Sequence, residues 1–575
     1  MTAVPDSTRG GAGGTSGDSP GPTATREPAG SSRNAGLVAA GILSSRMAGL
    51  VREKSISHFI GAGATLDAFS AALRIPNMMQ NLLGEGVLSA SFIPVYARLL
   101  AQGRPAEAGR VAGAVAGLLT LVAGTLVVIG VAFAEPLAAL FAPGFTGARF
   151  DLTVDLIRVL TPGIGFLVLS AWCLGVLNSH RRFFLSYVAP VLWNAAMIAA
   201  LTGAALTGAG QVQLATALAW GTVAGGVLQL GVQLPAVLRL TTELRLSLNW
   251  RMPGVRTVVR TFGPVVLGRG VVQLSHLLDL LLASFLATGA LGYLRFSQVL
   301  YLLPVSLFGM SVAAAELPEL AGVEGPQDRR TVSARLESSL ARIAFFVVPT
   351  FAVYMVLGDV VVAAVFQSGQ FDPVDTLVVW TVLAAYSVGL LATTGSRLLQ
   401  SALYAAGNAR RPAKVAAVRV VCSALLGVVL MLQLDQMAVE AGRLVVVGDL
   451  PASAPVPAEL RAGADDAAAR LGAAGLALGT GVAAWLELLL LRRTVVRNLA
   501  PVRLGGGRLP RLLAAAALAV TLGSLLRPLA NDLPAVLAAG LILAPTGVAY
   551  LLICRLLGVA ESRQLLDLLR LRRGR

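Results

Sequence analysis

Residues 44–55 read SSRMAGLVREKS and lie inside an otherwise apolar run. Three ionisable side chains, Arg46, Arg52 and Glu53, sit where a bilayer-spanning helix would hold them at membrane depth. An unpaired charge there costs roughly 2.5–3.5 kcal/mol on insertion scales. Such residues persist where they face one another or a water-filled space. The fold therefore turns on whether this run crosses a bilayer, and the surrounding chain decides it.

Of the 575 residues, 56% are hydrophobic and 13% charged, and the mean hydropathy is +0.75. Soluble domains carry about 25% charged residues, so a soluble fold is excluded. Apolar stretches of about 20 residues, the length that crosses a bilayer, recur fourteen times. They lie near 35–57, 66–97, 111–133, 153–177, 185–207, 213–236, 262–285, 290–318, 338–366, 376–404, 413–434, 468–491, 510–528 and 533–555. The expected fold is an all-α polytopic membrane protein.

The net charge of +16 is not spread evenly. Alternate loops collect Arg98, Arg104 and Arg110, then Arg181 and Arg182, then Arg239, Arg245, Arg251, Arg256 and Arg260. The pattern continues through Arg329, Arg330, Arg335 and Arg342, through Arg410, Arg411 and Lys414, and through the run from Arg492 to Arg511. The intervening loops hold only Lys54, Arg149, Arg443, Arg461 and Arg527. This alternation predicts both termini in the cytoplasm. It assigns the positive charge to a membrane face and not to a nucleic acid.

Residues 1–34, rich in Gly, Ser, Thr and Pro, predict a disordered cytoplasmic tail. Helices one to six form one unit over 35–240. Helices seven to twelve form another over 241–492, with a loose acidic outside loop at 435–467. Residues 493–575 hold the last two helices and a basic cytoplasmic tail. The segment DAFSAALRIPN (67–77) echoes LRFSQVLYLLP (294–304), each in the second helix of its unit. Internal repeats are common in transporters, and no P-loop, haem pair, metal motif or nucleophile elbow speaks for an enzyme. Cys173, Cys422 and Cys554 fit neither a zinc site nor a disulfide framework.

Arg46 and Glu53, two turns apart, share a helix face. Arg46 and Arg52 point about 120° apart on an ideal helix, so both reach one space only if it is wide or the helix bends. Asp67, Arg74, Asn77, Gln80, Asn81 and Glu85 crowd the second helix; Arg269, Gln273, His276 and Asp279 mark the seventh. Arg295 and Gln298 lie in the eighth and Arg397 in the tenth. A cavity walled mainly by arginine suits an anionic substrate, because guanidinium keeps its charge and grips phosphate with two donors. The same residues also admit structural roles: an Arg46–Glu53 ion pair, Arg74 snorkelling to the interface, and a satisfied His276–Asp279 pair.

The stretch SSRMAGLVREKSISHFIGAGATLDAFSAALRIPNMMQNLLGEGVLSASFIPVYARL (44–99) resembles the opening of the MurJ (MviN-like) lipid II flippases, a family of the multidrug/oligosaccharidyl-lipid/polysaccharide exporter superfamily. Their pattern runs S-R-x-x-G-x-x-R-[DE], F-G-A-G-x-x-x-D-A-F, [KR]-x-P-N and E-G-x-x-S-x-x-F-[VI]-P. LNSHRRFFLSYVAPVLWN (177–194), PGVRTVVRTFGPVVLG (253–268), FQSGQFDPVDT (366–376) and ALYAAGNARRPAK (402–414) match further on, and the resemblance spans about 35–560.

The resemblance implies two six-helix lobes in a V around a cationic cavity, followed by a helix pair grooved for a polyprenyl tail. It implies transport: an undecaprenyl-pyrophosphate-linked disaccharide pentapeptide crosses from the inner to the outer leaflet of the bacterial plasma membrane by alternating access. Arg46, Arg52, Glu53, Asp67, Asn77, Glu85 and Asp279 fall on its motif positions. No cofactor or metal is implied, and coupling to the membrane potential or to an ion stays open. The implied partners are that lipid-linked substrate, membrane lipids and cell-wall synthesis proteins. The family usually has an arginine pair after P-N, where this chain has Gln80 and Asn81, and A-D-R in the eighth helix, where Gln298 stands in for an arginine. Arg74, Arg269 and Arg295 are expected to compensate, Arg295 lying on nearly the same face as Gln298. The losses keep two alternatives in play: a flippase for another polyprenyl-linked oligosaccharide, or a non-transporting cell-wall scaffold.

Overall fold

The computed structural model describes residues 30–313, 316, 328–408, 410–440, 443–446, 452, 469–504 and 508–563. Helix α1 (Gly30–Phe59) begins inside the expected tail, of which residues 1–29 lie outside the described ones. The second expected span is three pieces, α2 (Ala64–Leu83), α3 (Glu85–Ser91) and α4 (Ile93–Ala101). The backbone leaves the helix at Gly84, with φ −94° and ψ −147°. There follow α5 (Pro105–Ala132), α6 (Ala134–Phe141), α7 (Gly147–Leu160), α8 (Gly163–Ser179), α9 (Phe183–Leu206) and α10 (Gln211–Leu240).

The second half opens with α11 (Pro253–Ser284) and α12 (Ala290–Pro304), the latter running on through a π-helical turn at Val305–Met310. Then come α13 (Asp328–Val356), α14 (Gly358–Phe366), α15 (Pro373–Ser387), α16 (Leu390–Ala405), α17 (Arg410–Leu434) and α18 (Gly472–Asn498). The last helices are α19 (Leu509–Ser524), the short α20 (Arg527–Ala530) and α21 (Ala535–Leu556). They pack on α13 and α14, around Phe345, Ala516 and Tyr550.

Over the described residues, every expected span coincides with a helix or a run of helices. Among the described residues, eight single helices are long and apolar enough to cross a membrane, and ten spans result if the pairs α7–α8 and α15–α16, bent by 41° and 42°, each count once. Fourteen is not reached by that measure. Helices α1, α2 and α11, which carry the charged residues singled out above, are not among the eight. The surface settles the environment. An 18-residue window of α17 has a mean hydropathy of 2.5, yet only 11% of it is buried. Val418, Val421, Leu425 and Val429 face outward from that helix. An apolar patch of this extent belongs in lipid, and the protein is a multi-pass membrane protein.

Within the first half, α9 packs along α1 and α10, and α10 along α8. Within the second, α17 lies against α18 through small residues, Gly479 meeting the backbone of Gly427, as close helix pairs in membranes do. The halves meet where α2, α11 and α12 converge. The two echoing sequences, in α2 and α12, thus become neighbours.

The segment expected to be a loose outside loop over 435–467 is partly ordered. Met437–Glu440 (β1) pairs antiparallel with Arg443–Val446 (β2), and Ala469–Arg470 (β3) adds to the other side of β1. Val439, Val445 and Val446 supply the β-branched side chains that suit a pleated surface. Residues 441–442, 447–451 and 453–467 lie outside the described ones.

Candidate functional site

Helices α2 and α12 border a cavity of about 90 Å³. Ser70, Arg74 and Asn77 line it from α2, Asp279 from α11, Arg295 and Gln298 from α12, and Tyr386 from α15. The i, i+4, i+7 spacing of the first three puts them on one helix face, and i, i+3 does the same for Arg295 and Gln298. Five expected site residues, Arg74, Asn77, Asp279, Arg295 and Gln298, therefore converge. Ser70 Oγ is buried with no hydrogen-bond partner among the described residues, which leaves a spare donor beside the cavity.

The cavity wall continues into a knot of charge. Glu53, 3% exposed, accepts from Arg295 Nε at 2.9 Å and Nη2 at 3.0 Å, and from Arg52 Nη2 at 2.6 Å. Arg52 also donates to Asn194 Oδ1 at 2.9 Å, and its guanidinium lies 5.1 Å from the Trp193 ring centre. The Arg295 guanidinium sits 5.6 Å from the Phe69 ring centre. Both arginines are thus held by one acid and one aromatic face. The Arg46–Glu53 pair that helix geometry allowed does not form. Arg46 is exposed, and its Nη1 donates to Ser306 Oγ at 2.6 Å, inside the π-helical turn. Such turns recur at functional sites because they re-aim side chains within a helix.

Asp67 does not line the cavity. It is 1% exposed and accepts from the backbone N–H of Gly289 at 2.7 Å and of Gly292 at 3.0 Å, and from Arg149 Nη1 at 3.3 Å. From α2 it caps the start of α12, where a carboxylate is favoured by the free N–H groups. Glu85 is exposed at the start of α3. Gln80 is half-buried and Asn81 exposed in the last turn of α2. The side chains of Arg269 and His276 lie outside the described residues.

A second charged knot escaped the sequence reading. Glu487 in α18, 2% exposed, accepts from Arg419 Nη1 and Gln400 Nε2, both at 2.8 Å. Its signal was the same as that of Glu53: one carboxylate in an apolar run, GAAGLALGTGVAAWLELLLL (472–491). Arg149 gave no such signal, since it reads as a loop residue. Among the described residues, no group of three or more His, Cys, Asp or Glu side chains could hold a metal.

The C-terminal end of α1 is latched to the chain after α14. Ser57 Oγ donates to the Phe366 carbonyl at 3.0 Å, Gln370 N–H donates to the His58 carbonyl at 2.9 Å, and His58 Nδ1 lies 3.1 Å from Ser368 Oγ. Gly369, at φ +60°, lies so close that a Cβ would run into the His58 carbonyl and ring. Earlier in α1, Leu43, Met47 and Val51 are exposed. The C-terminal end of α1 therefore joins the two halves through backbone and side-chain bonds.

The family profile described as lipid II flippase MurJ matches residues 56–446, which include α2, α12 and the cavity between them. The chain belongs to the lipid II flippase MurJ family. The lipid II flippase MurJ of Burkholderia cenocepacia is 32% identical over 381 residues, covering 65% of this chain and 73% of that one. A solved lipid II flippase MurJ in an inward closed conformation shares the fold with a TM-score of 0.70 at 20% identity, covering 91% of this chain and 98% of that one. An inward-facing multidrug resistance MATE family transporter of the MOP superfamily shares it more loosely, with a TM-score of 0.58 at 16% identity over 79% and 95% of the two chains. The MurJ profile stops at the end of the β-hairpin, short of the 35–560 expected from the motifs, whereas the structural match covers 91% of the chain.

Proposed function

We propose that this chain is a transporter that moves lipid II, the undecaprenyl-pyrophosphate-linked peptidoglycan precursor, from the inner to the outer leaflet of the plasma membrane. The observation that carries this reading is the arginine arrangement. Arg74 and Arg295 border a polar cavity, and Glu53 holds Arg295 and Arg52 by side-chain bonds that a pyrophosphate can take over. While the site is empty, Glu53 keeps both guanidiniums aligned and spares them the large penalty of a bare buried charge. A pyrophosphate arriving between them offers several acceptor oxygens and draws the arginines toward itself.

At about 90 Å³ the cavity has room for a phosphate but not for a disaccharide pentapeptide, so the lobes, 35–240 and 241–492, must part to load. The arginine-rich loops put both termini in the cytoplasm, and the latched end of α1 then faces outward. Release of that latch and closure of the opposite end constitute alternating access. Arg46, Arg52, Arg74, Asn77, Arg269, Asp279, Arg295 and Gln298 form the substrate-binding set, with Glu53 and Asp67 as positioning residues.

The deciding experiment is rescue of a flippase-depleted bacterium, paired with lipid II translocation in vesicles. Wild-type protein should rescue, and Arg52→Ala and Arg295→Ala should not. Full activity in both variants would remove the reading. Gln80, Asn81 and Gln298, where relatives usually place arginine, favour a second reading: a different polyprenyl-linked oligosaccharide. Translocation of such a lipid without lipid II translocation would select it.

A further inference from the structure

A second basic hollow, of about 470 Å³, lies where α8 turns into α9 and α10 ends. Arg181, Arg182 and Arg239 line it together with Phe183, Phe184 and Leu240, and it shares no residue with the polar cavity. Among the described residues, none of these three arginines makes an ion pair or a side-chain hydrogen bond. Three unpaired guanidiniums around one hollow repel one another until an anion enters.

The backbone supplies an independent sign. Arg181 adopts φ +59°, the left-handed region that non-glycine residues seldom enter. It stands just past the end of α8, the position glycine usually fills. Arg181 N–H donates to the Asn178 carbonyl at 3.0 Å and Arg182 N–H to the Leu177 carbonyl at 2.9 Å, closing the turn. Glycine would make the same turn with less strain, so the turn does not account for the guanidinium; strain of this kind gathers at functional sites. The turn is also anchored, with Tyr96 Oη 2.9 Å from His180 Nε2. Burial holds the His180 imidazole below its ordinary range, so it adds no charge near pH 7.

Apolar surface flanks the arginines. Phe184, which lines the hollow, is 54% exposed, and the half-buried Leu240 lines it from the end of α10. Inorganic phosphate would use the guanidiniums alone. An amphiphile would use both the guanidiniums and the apolar flank, and basic pockets between membrane helices on the cytoplasmic side suit such headgroups. We propose that this hollow binds the phosphate of an anionic glycerophospholipid, with its acyl chains against Phe184 and Leu240. The assignment to the cytoplasmic leaflet rests on the orientation proposed above.

The test is native mass spectrometry of the full chain in detergent, titrated with phosphatidylglycerol, phosphatidylcholine or inorganic phosphate, with melting temperature measured in parallel. Wild-type protein should retain phosphatidylglycerol over phosphatidylcholine. Arg181→Gly and Arg239→Gln should each weaken that retention about fivefold. Arg181→Gly should melt no lower than wild type, since it relieves strain, so lost binding there is not lost folding. Arg52→Ala should bind phosphatidylglycerol as wild type does even though it fails to transport, which separates this site from the flippase reading. Equal retention of the two lipids, or unchanged retention in both variants, overturns the proposal. So does an equal melting shift from inorganic phosphate, which makes the hollow a simple anion site. Displacement of phosphatidylglycerol by equimolar undecaprenyl pyrophosphate overturns it too, by assigning the hollow to the transported lipid.

Discussion

Glu53 and Asp67 are two carboxylates withdrawn almost wholly from solvent, and both reach across to α12, yet they hold different parts of it. Asp67 holds backbone amides, those of Gly289 and Gly292. The helix fixes those donors, and no substrate can claim them without unwinding it. Glu53 holds guanidiniums, those of Arg295 and Arg52. Such donors turn on flexible stems and can be handed to another anion. On the proposed mechanism, burial alone does not mark a transport residue; the freedom of its partner does. By the same measure Glu487, held by the side chains of Arg419 and Gln400, belongs with Glu53.

Asp67→Ala carries the largest expected effect. It leaves two amides and Arg149 buried without their acceptor, and stability should fall by about 3–5 kcal/mol, read as a lower melting temperature in detergent. Translocation should fall only in proportion to the folded protein lost. A variant that melts like wild type but no longer translocates would put Asp67 in the transport machinery and erase the contrast. Glu53→Gln comes next. Its amide still accepts from one arginine, so the loss should be about 1–3 kcal/mol, while initial translocation rates in vesicles drop well beyond what melting explains. A melting loss equal to that of Asp67→Ala would place the two acids in one class.

The sequence exposed this contrast only in part. Apolar runs and alternating arginines were enough to place the helices, because lipid demands about 20 apolar residues wherever a helix crosses. The convergence of Arg74, Asn77, Asp279, Arg295 and Gln298 was legible too, since an ion at membrane depth needs a polar space. Helix periodicity, however, reports only neighbours on the same helix. It set Arg295 beside Gln298, as the cavity does, and Arg46 beside Glu53, but it could not show that the fold brings Arg295 to Glu53 and Arg46 to Ser306. The role of Asp67 depends on the free amides at the start of α12, which no side-chain pattern displays. The β-hairpin at 437–446 was masked by the Pro/Ala-rich sequence that follows it.

The latch sharpens the comparison from outside the two acids. Gly369→Ala forces an alanine into the left-handed region and its Cβ against His58, for about 1–2 kcal/mol. This penalty applies only while the latch is shut, so the open state should gain population. With the native cysteines replaced, Ser70→Cys reports the cavity: a membrane-impermeant thiol reagent added outside should label it faster in the Gly369→Ala background. Asp67, bonded to backbone, should keep its hold on α12 in both states, and Glu53 should not. Labelling that stays at the background rate would mean the latch does not control that end of the molecule.

Arg46 should show the smallest stability effect and the most informative transport effect. Its bond to Ser306 is exposed, so Arg46→Ala should change stability by no more than about 0.5 kcal/mol. Ser306→Ala removes the same bond and keeps the guanidinium. If Arg46 serves only to tie α1 to the π-helical turn, the two variants behave alike. If the guanidinium meets the phosphate, only Arg46→Ala weakens lipid II binding, by about tenfold for one lost charge-assisted hydrogen bond. Arg52 and Arg46 would then form an ordered pair. Arg46, held by a hydroxyl that lets go easily, would make first contact, and Arg52, held by a carboxylate, would yield only once the pyrophosphate had come near enough to replace it.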